Sequence, residues 1–236
     1  MDRAKASFLG RAALLSHLPP PLLSRAVQRT APVRVRRRRE LWRVGDPAEH
    51  LYFVRSGVVR VGMEIGQGHA LTLRFHGKGD VCGEVGALEA ALGTPAARHT
   101  DAVAHEELVV YALPIEELQL LLEGFPGVVA ELAGLVSTRR REVELRLGGL
   151  PFSPVPCRVA SALLQLVEPF GVRDSRGIII NLRLTHRELA GLVGSTRETV
   201  SAILSELRRA GVLQIEGKRV VLLDTDALQA RAEPPG

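Results

Sequence analysis

Cysteine is nearly missing: Cys82 and Cys157 are two residues in 236, far apart in sequence. Zinc and iron–sulfur sites draw on about four ligands, so neither thiol belongs to a metal cluster and both read as buried free thiols. Long hydrophobic runs are missing too. Nothing approaches the roughly 20 apolar residues that span a bilayer, and residues 1–19 lack an uninterrupted signal core. The expectation is a cytoplasmic chain with no membrane partner. Also absent in any recognisable frame are a Ser-His-Asp order, a phosphate loop, paired carboxylates and a metal-ligand set. No catalytic residue, metal site or enzymatic function is therefore expected.

What the chain does have is a composition 46% hydrophobic, enough for a sizeable core, and a formal charge of +5. The sequence pI of about 9.8 favours polyanionic partners, because each Lys or Arg that meets a phosphate releases counterions.

Residues 11–28 suggest two short helices broken by Pro19, Pro20 and Pro21. Short alternating runs follow, at 33–42, 51–55, 58–62, 70–75 and 109–113, separated by turn residues such as Gly45-Asp46-Pro47 and Ser56-Gly57. Regular short strands imply a β-sandwich or barrel. Arg36 to Arg39 is read as part of the first strand and as solvated surface. From Pro126 to Leu150 the period becomes helical, with Val129, Leu132, Val136, Val143 and Leu150 on one narrow stripe. That stripe suits a partner helix, with packing inside one subunit as the alternative. Arg139 and Arg146 interrupt it and would weaken self-association unless acids such as Glu142 pair with them. After the proline-rich break at 151–156 a second domain begins, giving expected domains of 1–124, 125–150 and 151–236.

This last segment reads as a helix over 156–167, a strand over 178–184, two helices and a closing hairpin. Thr185-His186-Arg187-Glu188 is a capping box that starts one helix. Leu189, Leu192 and Val193 form its apolar face, and Gly194 turns the chain. Ser195-Thr196-Arg197-Glu198 opens the next helix, whose Val200, Ile203, Leu204 and Leu207 recur at i, i+3, i+4 and i+7. Its opposite face begins with Thr196, Arg197, Glu198 and Ser201, the end that a recognition helix inserts into a major groove. Arg197 suits guanine O6 and N7, and Glu198 accepts from a cytosine amino group; such pairs discriminate by about 1–3 kcal/mol. Thr185, Ser195 and Thr199 are short hydroxyl donors suited to phosphates. Glu216-Gly217 predicts a hairpin turn between 212–215 and 220–223, with Lys218 and Arg219 on the resulting wing as further phosphate contacts.

The run Leu189-Ala190-Gly191-Leu192-Val193-Gly194-Ser195-Thr196-Arg197-Glu198-Thr199-Val200 resembles the recognition motif of the Crp/Fnr family of bacterial regulators. Gly45 to Tyr52 and Gly79 to Gly86 are similar to two turns of that family's effector domain, so the resemblance covers about Leu14 to Leu223. It implies an α+β fold: an N-terminal cyclic-nucleotide-binding-type β-roll (jelly roll), a long central dimerisation helix and a C-terminal winged helix-turn-helix. It also implies a homodimer that regulates transcription, reading a palindromic TGTGA-like site in double-stranded DNA through Arg197 and Glu198. A third base-reading arginine of the family is replaced by Ala202. RNA polymerase is the implied partner, contacted through the 171–177 loop with its Arg173-Asp174-Ser175-Arg176, and activation is the expected sign.

For the effector the resemblance assigns Gly83, Glu84, Arg98 and His99. In cAMP-binding relatives a glutamate holds the ribose and an arginine pairs with the cyclic phosphate. This sequence departs from that pattern. His99 follows the arginine where a small hydroxyl residue is usual, the 88–97 segment is longer, and Val143 and Glu144 replace the adenine-contacting pair. No cofactor is expected to be required, with cAMP or another cyclic nucleotide left open. The competing reading is a cyclic-nucleotide-responsive module that acts through protein contacts.

Overall fold

A computed structural model describes residues 3–65, 69–149 and 153–233. Leu150, Pro151 and the side chain of Arg146 lie outside the described residues. Three helices open the chain, α1 (Arg3–Leu9), α2 (Ala13–Ser16) and α3 (Pro20–Arg29). The proline cluster does not merely break helix: Pro20 and Pro21 begin α3, where a missing N–H costs nothing. Strands β1 (Ala31–Val35), β2 (Glu40–Trp42), β3 (His50–Ser56), β4 (Val59–Ile65), β5 (His69–His76) and β6 (Val81–Cys82) follow. After helix α4 (Glu84–Ala91) come β7 (Asp101–Ala104), β8 (Leu108–Pro114), α5 (Ile115–Gly124) and the 24-residue α6 (Pro126–Gly149).

The strands form two antiparallel four-stranded sheets, ordered β1-β8-β3-β6 and β2-β7-β4-β5. One core sits under Phe53, Leu51 and Leu113, joined by Leu9, Leu15, Leu118, Leu121 and Leu132 from the helices. The other gathers Val54, Val59, Cys82, Ala102, Ala104, Leu108 and Val110 with Trp42. Burial pushes the Cys82 thiol far up from its ordinary pKa, so it stays protonated and inert.

The arginine run is corrected by the structure. Arg36 to Arg39 lies in the turn that separates β1 from β2, exposed throughout, with Arg38 in the left-handed region at φ 64°. Four consecutive guanidinium-bearing side chains cannot alternate into a core without burying charge, so the chain turns there and the two halves join different sheets.

The second group of elements is α7 (Val155–Phe170), β9 (Gly171–Asp174), β10 (Gly177–Ile180), α8 (His186–Val193), α9 (Arg197–Arg209), β11 (Leu213–Glu216), β12 (Arg219–Leu222) and α10 (Thr225–Ala232). Its sheet has the order β11-β12-β10-β9. Helix α7 packs on α8, α9, α10 and β10, burying Leu163, Leu166 and Phe170 beside Leu189, Val193, Leu204, Leu207 and Leu228. The chain accordingly divides into two compact units, Met1–Met63 with Leu73–Glu142, and Glu64–Thr72 with Val143–Gly236. Among the described residues no single helix is long and apolar enough to cross a membrane.

Candidate functional site

The helix pair α8–α9 is built from its caps outward. At Thr185 the hydroxyl accepts the Glu188 backbone N–H at 3.2 Å, while the Glu188 carboxylate takes the Thr185 backbone N–H at 2.8 Å. Gly194 ends α8 at φ 63°, a conformation that strains any residue with a Cβ. Thr196 then caps α9, accepting the Thr199 N–H at 3.2 Å. Val200, Ile203, Leu204 and Leu207 are buried as their spacing requires, which turns Arg197, Glu198, Ala202 and Ser205 outward. Among the described residues none hydrogen-bonds or ion-pairs the Arg197 guanidinium or the Glu198 carboxylate, and both are exposed. These two charged groups sit side by side at an uncovered helix N-terminus with their donors and acceptors unspent.

Two hydroxyl assignments are corrected. Ser201 is half-buried, donating to the Arg197 carbonyl at 2.7 Å and lying 2.7 Å from His186 Nδ1. It ties α9 to the start of α8 and has no hydrogen left for a base. Thr185 spends its own hydrogen on Glu188 at 2.7 Å, so the capping box leaves it nothing to offer a phosphate. Thr196 is exposed but occupied as a cap, its hydroxyl 2.9 Å from that of Thr199. Ser195 is half-buried at the turn.

The wing forms one residue away from its expected register. Glu216 pairs with Arg219 across β11 and β12, so the turn is Gly217-Lys218, with Gly217 at φ 62°. Lys218 and Arg219 are exposed. The polar segment 171–177 is a hairpin, β9 and β10, with Ser175 and Arg176 as its turn; the expected loop is corrected because β9, exposed at Gly171, Val172 and Arg173, carries no apolar alternation to announce a strand. Arg176 bridges Asp174 at 3.0 Å and Glu216 of the wing. The hydrogen bonds that Arg176 makes to Asp174 hold that carboxyl down at about 2.

In the β-roll the four effector residues are not one constellation. Arg98 is buried, 3% exposed, over the face of Trp42 at 4.6 Å. Its N–H groups donate to the Gly83 carbonyl at 2.9 Å and the His50 carbonyl at 2.6 Å. A Cβ on Gly83, which stands at φ 80°, would lie 2.6 Å from Arg98 Nη1, so glycine is what admits the guanidinium. Glu84 opens α4 and is ion-paired with Arg139 from α6; their side chains are 10% and 11% exposed. Arg139 also donates to the Val81 carbonyl. His99 points away, 62% exposed and 2.9 Å from Glu89, which removes it from the site. Arg98 Nε, Arg139 Nε and Arg139 Nη1 are buried without a hydrogen-bond partner, so Gly83, Glu84 and Arg98 keep polar atoms that suit an anionic ligand of the cyclic-nucleotide type.

Sequence reasoning treats Arg139 as a flaw in an apolar stripe that Glu142 would relieve. The partners are exchanged: Glu142 pairs with Arg74 of β5 and Arg139 with Glu84. A guanidinium set among buried-face positions was itself the signal that an internal acid awaited it. The stripe is also revised at Leu132, which is fully buried in its own β-roll's core and cannot face a second helix. Val129 is 43% exposed, and Val136 and Val143 are half-buried.

Comparison with known proteins agrees with this geometry. Residues 32–124 match the cyclic nucleotide-binding domain family and residues 157–231 the Crp-like helix-turn-helix domain family. A CRP-like cAMP-activated global transcriptional regulator of Mycobacterium tuberculosis is 29% identical over 225 residues, 95% of this chain and 98% of that one. The cyclic AMP receptor protein of Thermus thermophilus is 37% identical over 171 residues, 72% of this chain and 74% of that one. Among solved structures, a CRP-family transcriptional regulator from Thermus thermophilus superposes with a TM-score of 0.69 at 31% identity, covering 85% of this chain and 96% of that one. FixK2 from Bradyrhizobium japonicum shares the fold with a TM-score of 0.76 at 24% identity, covering 88% and 99%. With a β-roll ahead of a winged helix-turn-helix whose second helix presents Arg197 and Glu198, the chain belongs to the Crp/Fnr family of transcription regulators.

Proposed function

We propose that this regulator reads a palindromic, TGTGA-like site as a homodimer, with Arg197 and Glu198 on base edges and Ser195, Thr199, Lys218 and Arg219 on phosphates. The observation that carries the reading is the pair of unspent charged side chains at the exposed start of α9. An arginine there matches guanine by two parallel hydrogen bonds and an acid matches the cytosine amino group. The domains serve as an effector-type unit over 1–124, a dimerisation helix over 125–150 and a DNA-binding unit over 151–236. Val129, Val136 and Val143 form the seam between subunits. Activation through contact of the β9–β10 hairpin with RNA polymerase follows from the polar tip at Arg173, Asp174, Ser175 and Arg176. The protein acts in the cytoplasm, catalyses no reaction, and requires no cyclic nucleotide.

The test is selection of randomised duplexes by the purified protein, with and without added cAMP. A palindrome enriched equally in both arms supports the reading. Arg197→Ala is expected to erase sequence preference while salt-sensitive, non-specific binding persists. Equal weakening on every duplex would reduce Arg197 to a phosphate contact, and no enrichment at all would favour a module that works through protein contacts.

A further inference from the structure

We infer that His186 is a positioning residue for base recognition: through the hydroxyl of Ser201 it fixes the first turn of α9, the turn from which Arg197 reaches a base edge. The inference rests on the DNA-reading role proposed above and names the residue that sets its geometry.

Hydrogen counting fixes the direction of the contacts. A serine hydroxyl carries one hydrogen, and Ser201 gives it to the Arg197 carbonyl at 2.7 Å, four residues back along α9. His186 Nδ1 lies 2.7 Å from the same hydroxyl oxygen, so the ring nitrogen is the donor there. The imidazole therefore carries hydrogen on Nδ1. Donation runs from α8 to α9 in one sense, Nδ1–H to Oγ and Oγ–H to the carbonyl, and each bond polarises the next. A serine that bonds the carbonyl four residues back gains its own helix nothing and tends to bend it. A donor from a second helix is what selects this rotamer, between two side chains that are both half-buried. The relay is anchored at its far end, because His186 opens α8 directly after the Thr185–Glu188 capping box. On the other side of Arg197 the Thr196 hydroxyl holds the Thr199 N–H at 3.2 Å. The base-reading residue thus hangs from a turn fixed before and after it, while its guanidinium stays exposed. Ala202, the next outward residue, has no polar side-chain atom to share the reading. A two-bond contact to guanine tolerates little displacement, so a helix start set before the duplex arrives favours the right base over a wrong one.

The experiment uses the full-length protein, the selected duplex and a scrambled duplex of equal length, the ratio of the two affinities being the discrimination. His186→Ala is expected to lower affinity for the selected duplex about tenfold, the scale of one net hydrogen bond, and to leave the scrambled duplex bound as before. His186→Asn, whose amide places an N–H where Nδ1 stands, is expected to restore discrimination. His186→Gln, whose amide reaches only the place of Nε2, is not. Ser201→Ala should lose as much as H186A, and the double variant H186A/S201A no more than either, because both act through one relay. Nitrogen-15 spectra of histidine-labelled protein give a reading independent of affinity: the ring signal missing from H186N should belong to an imidazole with hydrogen on Nδ1.

Undiminished discrimination in H186A, equal rescue by asparagine and glutamine, additive losses in the double variant, or a ring with hydrogen on Nε2 alone would each overturn the relay while leaving sequence-specific binding intact. Equal weakening on both duplexes would overturn it too, and make His186 a phosphate contact. Absence of any selected duplex for the native chain would instead remove the DNA-reading role itself. Should H186A fail to fold, Ser201→Ala carries the same comparison, since alanine is the best helix former at an interior position.

Discussion

Burial takes His76 out of its ordinary chemical state. Complete burial, followed by the nearby positive charges of Arg139 and Arg74, holds its imidazole well below the usual pKa of 6.5, so it is neutral in the folded protein. The unfolded chain binds a proton there near pH 6.5 and the folded one does not, so stability must fall as pH drops below that value. Asp80, 4.0 Å away, is shifted upward by its own burial and contributes with the opposite sign. Thermal melts of the native protein between about pH 7.5 and 5, a range that brackets an ordinary histidine, are expected to show Tm declining with acid. His76→Leu should flatten that decline and Asp80→Asn should not. A decline unchanged in His76→Leu would place the acid sensitivity elsewhere. At the same scale Cys82, protonated and fully buried, is expected to resist thiol reagents until the protein unfolds.

The α8–α9 pair is where local chemistry and function meet, and its energetics should follow the caps. Thr196→Ala removes the acceptor for the Thr199 N–H and is expected to cost about 1 kcal/mol by denaturant unfolding. Gly194→Ala, at φ 63°, is expected to cost about 1–2 kcal/mol. Both changes leave Arg197 in place, so specific affinity should fall less than in Arg197→Ala. These helices were legible in the sequence because cap, turn glycine and apolar spacing all pointed the same way. The roll was legible as short strands, although Arg36 to Arg39 was placed in a strand instead of a turn. Strand β9 is hidden in the sequence because this edge strand buries none of its residues and has no apolar face to display. Helix α5 carried a signal that went unread: Glu116 and Glu117 in its first turn and Ile115, Leu118 and Leu121 buried at helical spacing. The engagement of the Ser201 and Thr185 hydroxyls inside the fold is not legible in the sequence. A hydroxyl on an outward-looking helix position is free only if no neighbour or backbone carbonyl claims its hydrogen, and that depends on tertiary placement. Arg139 stands out in its stripe, but which acid meets it is not legible: Glu84 lies 55 positions away in the chain.

Across the whole molecule the basic balance and the proposed two-fold assembly make joint predictions. Sedimentation should report a dimer, and Val129→Glu together with Val136→Glu should shift it to monomer with loss of palindrome binding. Two recognition helices on one dimer face grooves about 34 Å apart, so inserting ~5 base pairs between half-sites should weaken binding by an order of magnitude or more. Each phosphate contact adds about 0.9 to the salt dependence of affinity, and Lys218→Ala in both subunits should lower that slope accordingly. The clasp of Arg176 on Asp174 and Glu216 bears on how the complex forms. Joining the tips of two short hairpins restricts the wing before any duplex arrives, so the disorder it would otherwise surrender on contact is given up while the chain folds. Arg176→Ala should therefore show itself mainly as a less favourable association entropy in calorimetry, a wing that must find its shape at the moment of encounter.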